Sequence, residues 1–391
     1  MDPELTRLVA AGGHEQLVAF AEPAARLRGY VAIHSTALGP ALGGIRFWRY
    51  DREADAIADV LRLAAAMTAK AAVAGLHQGG GKAVVLWDDP RRDRDDEQRA
   101  ALGRVIHLLG GRYVAAEDVG ATQADMDGIA RATPWVTGID PARGGSGDPS
   151  PVTAWGVLHG MHAVCEEVFG DRALRGRRVV VVGVGKVGAA LAALLAERDA
   201  QVVVADADAG RAADVAAGLG AAVVPAEQAL ETPCDVLAPC ALGGTITSAV
   251  VARLRCRAIC GAANNQLGDP GADRALARAG IVYAPDFVVN AGGIVNLAQE
   301  WAPGGHSAER ARTEAARIEE TTHRVLALAR SEGVPPGRAA ELLAARRIAA
   351  EGAGRRYVPG EPSVMRDALL ARWARLTGSA SGPTSPPPPS P

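Results

Sequence analysis

The sequence lacks an excess of either charge, and it lacks a long apolar run. Its 42 lysine and arginine residues nearly balance 44 aspartate and glutamate residues, which gives a formal net charge of −2. Nucleic-acid-binding proteins carry a clustered basic excess, so this balance argues against such a partner. No run approaches the roughly 20 apolar residues that span a bilayer, and the segment MDPELTRLVAAGG has no signal-peptide core. These absences predict a cytoplasmic protein with no membrane partner.

Cysteine is scarce and is not arranged for metal binding or disulfide pairing. The five cysteines are an odd number, none of them forms a CxxC pair, and no histidine cluster lies near them in the sequence. Neither a disulfide framework nor a zinc site is therefore expected, and no metal site is predicted.

Lysine is the rarest charged residue. Only Lys70, Lys82 and Lys186 occur among the 42 basic positions. A compositional bias evidently places arginine wherever a plain positive charge is sufficient. Unlike arginine, lysine can lose its proton near neutral pH and act as a base. The three lysines are therefore candidates for chemistry.

The first 140 residues are predicted to be a mixed α/β region. Short strand patterns at 16–20, 28–34, 42–48, 83–87 and 112–116 surround helical patterns near 51–74 and 95–109. The segment GGSGDPSP at 144–151 is typical of a break between domains. We expect a substrate domain over 1–145, with a hinge at this break.

Strands and helices alternate regularly from about residue 175. Strand patterns occur at 179–182, 201–205, 221–224, 235–238, 258–260 and 281–284. This alternation predicts a doubly wound parallel sheet of the Rossmann type over 146–334. Helices at 308–332 and 336–352 follow, and helices over about 335–372 are expected to pack back on the first domain. The low-complexity end, 376–391, is predicted to be disordered.

A dinucleotide fingerprint opens this second domain. Gly183, Gly185 and Gly188 follow the first strand and precede a helix pattern at 189–196, and Asp206 ends the second strand. The glycines allow a tight turn and a close approach of the pyrophosphate, whereas the carboxylate binds the adenosine ribose. Because a carboxylate repels a 2′-phosphate, the pattern favours NAD over NADP.

Two further segments carry reactive side chains. The run 79–82, Gly-Gly-Gly-Lys, is predicted to be a loop whose glycines allow positive φ and close contact with a ligand. A phosphate-binding loop is disfavoured, because Ala83 stands where a serine or threonine would bind magnesium. Asp118 follows a strand, where an acid serves either in catalysis or as a helix cap.

These segments and several others resemble the leucine/phenylalanine/valine branch of the amino-acid dehydrogenase superfamily that includes glutamate dehydrogenase. The matching runs are ALGPALGGIR (37–46), MTAKAAVAGLHQGGGKAV (67–84), GRYVAAEDVG (111–120), ADMDGI (124–129), PSPVTAWGV (149–157), APCALGG (238–244), GAANNQL (261–267) and YAPDFVVNAGG (283–293). The resemblance implies NAD-dependent oxidative deamination of an L-amino acid to its 2-oxo acid, with release of ammonia, and the reverse reductive amination. It also implies a homo-oligomer with small-molecule substrates.

The resemblance assigns roles to positions of this sequence. Lys82 matches the general base that activates water, and Asp118 matches the acid that exchanges protons with the amino group. Lys70 is expected to bind the substrate carboxylate, with help from Asn265 and the backbone near Gly44, and Met67 is also expected to bind the substrate. The groups expected around the cofactor are Thr153, Gly183, Gly185, Lys186, Val187, Gly188, Asp206, Cys240, Ala241 and Asn264.

The substrate side chain is expected to contact Leu42, Ala116, Ile294 and Leu297. Glutamate-specific relatives bind the distal carboxylate with a lysine, and none of these four positions offers one. The bulky Leu42 and Ile294 favour leucine, valine or isoleucine as substrate. Phenylalanine or another aromatic amino acid is the alternative, and a non-catalytic NAD-binding regulatory protein is a remote one.

Overall fold

A computed structural model describes residues 3–88, 93–361 and 363–378. Its first sheet has five strands in the order β1-β2-β4-β3-β5. β1 and β4 lie antiparallel to β2, whereas β4 and β5 lie parallel to β3. The strands are β1 (Gln16–Glu22), β2 (Leu27–Ser35), β3 (Ala41–Trp48), β4 (Gly79–Leu86) and β5 (Tyr113–Glu117).

The second sheet has six strands in the order β11-β10-β9-β6-β7-β8, and every pair is parallel. The strands are β6 (Arg178–Val182), β7 (Gln201–Ala205), β8 (Ala222–Val223), β9 (Val236–Pro239), β10 (Ala258–Ile259) and β11 (Val282–Tyr283). The chain proceeds outwards from β6 to one edge and from β9 to the other. The doubly wound sheet that the sequence predicted is therefore present, with its switch point between β6 and β9.

Fifteen helices surround the two sheets in the described residues. They are α1 (Pro3–Ala11), α2 (Glu53–Val73), α3 (Asp96–Leu108), α4 (Gln123–Ile129), α5 (Ser150–Phe169), α6 (Lys186–Ala196), α7 (Ala209–Leu219), α8 (Ser248–Val251), α9 (Ala272–Arg278), α10 (Asp286–Val289), α11 (Gly292–Ala298), α12 (Ala308–Ala316), α13 (Ile318–Glu332), α14 (Pro336–Gly352) and α15 (Val364–Thr377). Within the described ranges, none of them has both the length and the apolar character needed to cross a membrane.

The last two helices pack back towards the N-terminal half, as expected. In α14, Arg347 donates from Nη1 to the carbonyl oxygens of Ala72 and Leu76, at 2.9 Å each, at the end of α2. In α15, Trp373 donates from Nε1 to the carbonyl oxygen of Ala130 at 3.0 Å. The predicted disordered tail, 376–391, lies outside the described residues from 379 onwards, and α15 includes 376 and 377.

The prediction of a glycine loop at 79–82 is wrong, because these residues begin the buried strand β4. None of Gly79, Gly80 and Gly81 has a positive φ. They are glycines because the surrounding chain leaves no room for a side chain. A Cβ on Gly79 would stand 1.8 Å from the carbonyl oxygen of Ser35, and one on Gly80 would stand 2.1 Å from the Thr68 nitrogen. The glycines therefore let α2 and β2 pack tightly against the strand that carries Lys82.

Candidate active site

A cleft of about 310 Å³ is lined on one side by the first sheet and α2, and on the other by helices and loops that accompany the second sheet. It gathers all ten predicted catalytic and substrate-binding residues, together with three predicted cofactor residues. Those lining it are Leu42, Gly44, Met67, Lys70, Lys82, Ala116, Asp118, Thr153, Val187, Asn264, Asn265, Ile294 and Leu297. The other predicted cofactor residues lie outside this lining, around the ends of β6, β7 and β9.

An ion pair joins the two predicted catalytic residues. Lys82 Nζ lies 2.8 Å from Asp118 Oδ2, and the two side chains are 5% and 20% exposed. Lys82 belongs to β4, and Asp118 follows β5, so β3 passes between them. β3 carries Gly43 and Gly44 at this point. A Cβ on Gly44 would stand 2.6 Å from the Cβ of Asp118. Glycine in β3 is therefore what allows the lysine and the carboxylate to meet.

Burial and charge shift the pKa values of this pair. Desolvation lowers the pKa of Lys82 from its usual value, and the neighbouring Asp118 opposes that shift. Desolvation would raise the pKa of Asp118, but Lys82 and Arg46 outweigh it and hold that pKa below its usual value. Such a site contains a lysine that can give up its proton more readily than a lysine in water.

Asp118 does not cap the following helix. Thr122 is the N-cap residue of α4, and it forms a reciprocal capping box with Asp125. The helix-cap alternative for Asp118 therefore has no support in the geometry.

Sequence reasoning missed Arg46, which lines the cleft and binds Asp118. Its Nε donates to Asp118 Oδ2 at 3.0 Å, and its Nη1 donates to Asp59 Oδ2 at 2.8 Å. The residue lies in the matched segment GGIR. Arg46 could have been identified from the sequence only by asking which side chain faces Asp118 across adjacent strands.

Lys70 lies in the last turn of α2 and faces the same cleft. The surrounding protein removes most water from its ammonium, and this desolvation lowers its pKa to about 8. The carboxylate of Asp286 opposes the shift, and Lys82 adds to it. Lys70 has no ion-pair partner within the described residues. A cation held in this way is suited to bind the carboxylate of a ligand.

The loop that follows β10 of the second sheet lines the same cleft as Lys70. Asn265 adopts a left-handed conformation with φ of 52°, and its backbone N–H donates to Asp286 Oδ2 at 2.6 Å. Asn264 accepts a 2.9 Å hydrogen bond at Oδ1 from Nδ2 of Asn290. Asp286 and Asn290 both line the cleft, and neither was predicted from the sequence.

The three fingerprint glycines differ in what surrounds them. Gly183 has a φ of 96°, and a Cβ there would stand 2.5 Å from the Cβ of Ala241. A Cβ on Gly188 would stand 1.9 Å from the carbonyl oxygen of Gly183. A Cβ on Gly185, the N-cap of α6, would meet nothing within 4 Å. Gly183 therefore forms a tight turn, Gly188 allows a close helix-to-strand contact, and Gly185 leaves the N-terminus of α6 open. A dinucleotide pyrophosphate requires all three features.

The remaining predicted cofactor residues border this turn. Asp206 accepts hydrogen bonds from the backbone N–H groups of Val184 and Asp208, at 2.8 and 2.9 Å. Cys240 and Ala241 follow β9, so they lie at the switch point beside the glycines. Lys186 is 74% exposed, and its Nζ lies 3.3 Å from Asp148. The residues present at this edge fit a dinucleotide.

The apolar wall of the cleft contains the four predicted side-chain contacts. Leu42, Ala116, Ile294 and Leu297 are each less than 10% exposed, and all four line the cleft. Ile294 and Leu297 lie one turn apart on α11. No cluster of three or more potential metal ligands occurs in the part of the chain that the structure describes.

Comparisons with known proteins match both halves of the chain. Residues 14–135 match the family described as "Glu/Leu/Phe/Val dehydrogenase, dimerisation domain", and residues 144–219 and 212–355 match "Glutamate/Leucine/Phenylalanine/Valine dehydrogenase". A valine dehydrogenase of Streptomyces albus is 46% identical over 341 residues, covering 86% of this chain and 93% of that protein. A leucine dehydrogenase of Bacillus subtilis is 45% identical over 345 residues, covering 88% and 94%. The crystal structure of L-tryptophan dehydrogenase from Nostoc punctiforme is 36% identical, with a TM-score of 0.78 and coverage of 88% and 99%.

Proposed function

The chain belongs to the glutamate/leucine/phenylalanine/valine dehydrogenase family and is an amino-acid dehydrogenase, and from this premise we propose the substrate, the cofactor and the residue roles. The enzyme oxidatively deaminates a branched aliphatic L-amino acid to its 2-oxo acid, with NAD as oxidant, and it catalyses the reverse reductive amination. The observation that carries this proposal is the Lys82–Asp118 ion pair in one cleft with Lys70.

The protein orients the substrate and moves its protons. Lys70 binds the substrate carboxylate, with Asn265 and the backbone at Gly44 beside it. NAD, when bound, accepts the hydride that leaves Cα. Asp118 takes a proton from the substrate amino group, and the oxidised substrate is the 2-imino acid.

Hydrolysis then requires the two catalytic residues together. Neutral Lys82 takes a proton from water as the water oxygen bonds to the imino carbon. Asp118 returns its proton to the nitrogen, while Lys82, having passed its first proton to solvent, takes the proton of the new hydroxyl group. The carbonyl forms as the carbon–nitrogen bond breaks, and ammonia leaves the 2-oxo acid. The lowered pKa of Lys82 supports its role as the base.

The apolar wall supports a branched aliphatic side chain. Leu42, Ala116, Ile294 and Leu297 offer no positive charge for the distal carboxylate of glutamate. The relatives that are 45% and 46% identical are named leucine and valine dehydrogenases. An aromatic substrate is the second candidate, because a structural relative at 36% identity is named an L-tryptophan dehydrogenase.

We propose NAD rather than NADP because Asp206 presents its carboxylate at the end of β7, where the adenosine ribose binds in dinucleotide folds. Thr153 and Asn264 would hold the nicotinamide end, since both line the cleft near the catalytic pair. Gly183, Gly185, Lys186, Val187 and Gly188 would cradle the pyrophosphate, with Cys240 and Ala241 on the opposite side of the switch point.

We also propose that two domains, 1–145 and 146–334, close on the substrate about the segment 144–151, and that the enzyme is a homo-oligomer. The family description of residues 14–135 as a dimerisation domain supports association of subunits. The five unpaired cysteines are compatible with a reducing cytoplasm. Light scattering of the purified protein measures the subunit number.

The decisive experiment mixes the protein with NAD and a panel of L-amino acids and follows NADH absorbance. The highest kcat/KM is expected for valine, leucine or isoleucine, with low rates for phenylalanine, tryptophan and glutamate. A preference for an aromatic amino acid would overturn the substrate proposal alone. A protein that binds NADH but oxidises no member of the panel would support the regulatory alternative instead.

A further inference from the structure

A chain of charged side chains leads away from the catalytic pair. Arg46 bridges Asp118 and Asp59, since one guanidinium nitrogen contacts each carboxylate. Asp59 belongs to α2, and it also accepts hydrogen bonds from Tyr50 at 2.7 Å and from Arg62 at 2.6 Å. Asp59 does not line the cleft. An electrostatic path therefore joins the proton-transfer site to a residue outside the cleft.

Two cations converge on a single oxygen of Asp118. Lys82 Nζ and Arg46 Nε both contact Oδ2, at 2.8 and 3.0 Å. Neither of these two contacts involves Oδ1. The planar guanidinium of Arg46 can hold Asp118 and Asp59 at once, a geometry that a lysine cannot reproduce. The arrangement fixes the carboxylate and leaves one oxygen for the nitrogen of a substrate.

We propose that Arg46 and Asp59 form a charge-balancing pair that positions Asp118 and sets the pH range over which the Lys82–Asp118 pair works. This inference rests on the proposed proton transfers. Arg46 adds positive charge beside Lys82 and favours loss of its proton. Asp59 partly neutralises Arg46 and limits that effect. Neither role follows from direct contact with a reacting atom, so both residues are positioning residues.

The other ionisable groups around Lys82 bear on the same equilibrium. They are Lys70 and Asp59 from α2, Arg46 from β3, Tyr113 and Glu117 from β5, and Asp118 after it. Among these groups, Asp59 carries its charge outside the cleft lining, whereas Arg46 lines the cleft. The charge of Asp59 can therefore be removed without changing a residue of the cleft.

The test is the pH dependence of kcat for oxidative deamination. Activity rises with pH as Lys82 loses its proton, and the apparent pKa of this rise belongs to the coupled pair. Asp59→Asn removes a negative charge and leaves a side chain of nearly the same volume. The pKa of Lys82 therefore falls, and the rise moves to lower pH. Arg46→Gln removes a positive charge, so the rise moves to higher pH. We expect each shift to be roughly half to one pH unit.

Two further variants separate charge from position. Arg46→Lys keeps the charge but cannot bridge both carboxylates, so the rise stays near its wild-type pH while kcat falls. Asp55→Asn makes the same chemical change one turn earlier on α2, at an exposed side chain that pairs with Arg52. This control is expected to leave the pH profile unchanged.

The possible outcomes are distinct. Opposite shifts for Asp59→Asn and Arg46→Gln support the proposal. A uniform loss of kcat in both variants, with lower melting temperatures and an unmoved profile, would assign the pair a structural role and overturn it. Wild-type protein without activity on any amino acid would instead contradict the proposed function.

Discussion

Gly44 lies directly against Asp118: a Cβ added to Gly44 would stand 2.6 Å from the Cβ of Asp118 and 2.9 Å from the carbonyl oxygen of Glu117. Gly44→Ala is therefore expected to push Asp118 away from Lys82. A displacement of about 1 Å in a catalytic site can lower the rate on the order of 10²-fold. The measurement is kcat for deamination under saturating substrates.

A matched control comes from Gly218, which lies within α7 and where an added Cβ meets nothing within 4 Å. Gly218→Ala is expected to keep kcat and to stabilise the helix by up to about 1 kcal/mol. Wild-type kcat in Gly44→Ala would show that the position of Asp118 is not critical.

The role of Lys82 is tested by its removal. Lys82→Ala is expected to lower kcat by at least ~10²–10⁴-fold, because no other base activates the water. NADH binding, followed by NADH fluorescence, is expected to remain close to wild type. Lys82 lines the cleft, whereas the fingerprint glycines lie outside that lining. Near-normal kcat would remove Lys82 from the mechanism. Asp118→Asn is expected to behave in the same way.

The second sheet could be predicted from the sequence because its signals are local. An apolar β-branched strand, three glycines and a terminal carboxylate occur in one short stretch, and each has a physical reason to occur there. The observed strand β6 (Arg178–Val182) and the end of β7 before Asp206 agree with that pattern. The family resemblance added the residues that line the cleft.

The missed residues depend on contacts between distant segments. Arg46 is one arginine in an arginine-rich chain, and nothing beside it in the sequence reveals that Asp59 and Asp118 meet around it. The three glycines before Lys82 predict a ligand loop from sequence alone, because glycine permits both positive φ and close packing. Only the neighbouring α2 and β2 decide in favour of packing at Gly79 and Gly80.

Carboxylate binding is expected to weaken as pH rises. Desolvation lowers the pKa of Lys70 to about 8, so its charge is present below that pH and is lost above it. KM for the 2-oxo acid, measured with saturating ammonia, is therefore expected to rise as pH passes through about 8. The 2-oxo acid has no amino group whose own titration would interfere.

A variant of Asp286 provides a second measurement for this pH test. The negative charge of Asp286 raises the pKa of Lys70, so Asp286→Asn is expected to lower that pKa and move the rise of KM to lower pH. KM for NADH serves as the control and should not follow the same curve. A KM for the 2-oxo acid that is independent of pH in both proteins would contradict the assignment of Lys70.

Cofactor preference is expected to depend on Asp206. Asp206→Ser removes the carboxylate that would repel a 2′-phosphate, and it frees Arg211, whose Nη1 lies 3.5 Å from that carboxylate. KM for NAD should rise, and the gap between NAD and NADP should narrow. Asp214→Ser on the exposed side of α7 is the control, with unchanged preference. Equal use of NAD and NADP by the wild-type enzyme would make the assignment of Asp206 wrong.

Substrate preference is expected to change at Ile294, which lines the cleft and is 7% exposed. Ile294→Ala opens room for several carbons where an aromatic ring would otherwise clash. One methylene in an apolar pocket is worth ~1–3 kcal/mol, so kcat/KM ratios could move by about one to three decades. Activity on leucine and valine should fall while activity on phenylalanine rises, with KM for NAD unchanged.

A variant of the neighbouring Val295 is the control that distinguishes a pocket role of Ile294 from a core role. Val295 is 2% exposed, and it packs with Val152, Ala311 and Ala315 instead of lining the cleft. Val295→Ala should lower the melting temperature through a cavity and leave the phenylalanine-to-leucine ratio unchanged. If Ile294→Ala shows only that same uniform loss, Ile294 is a core residue. The preference for aliphatic substrates would then depend on Leu42, Ala116 and Leu297 alone, and an aromatic substrate would become the better proposal for this cleft.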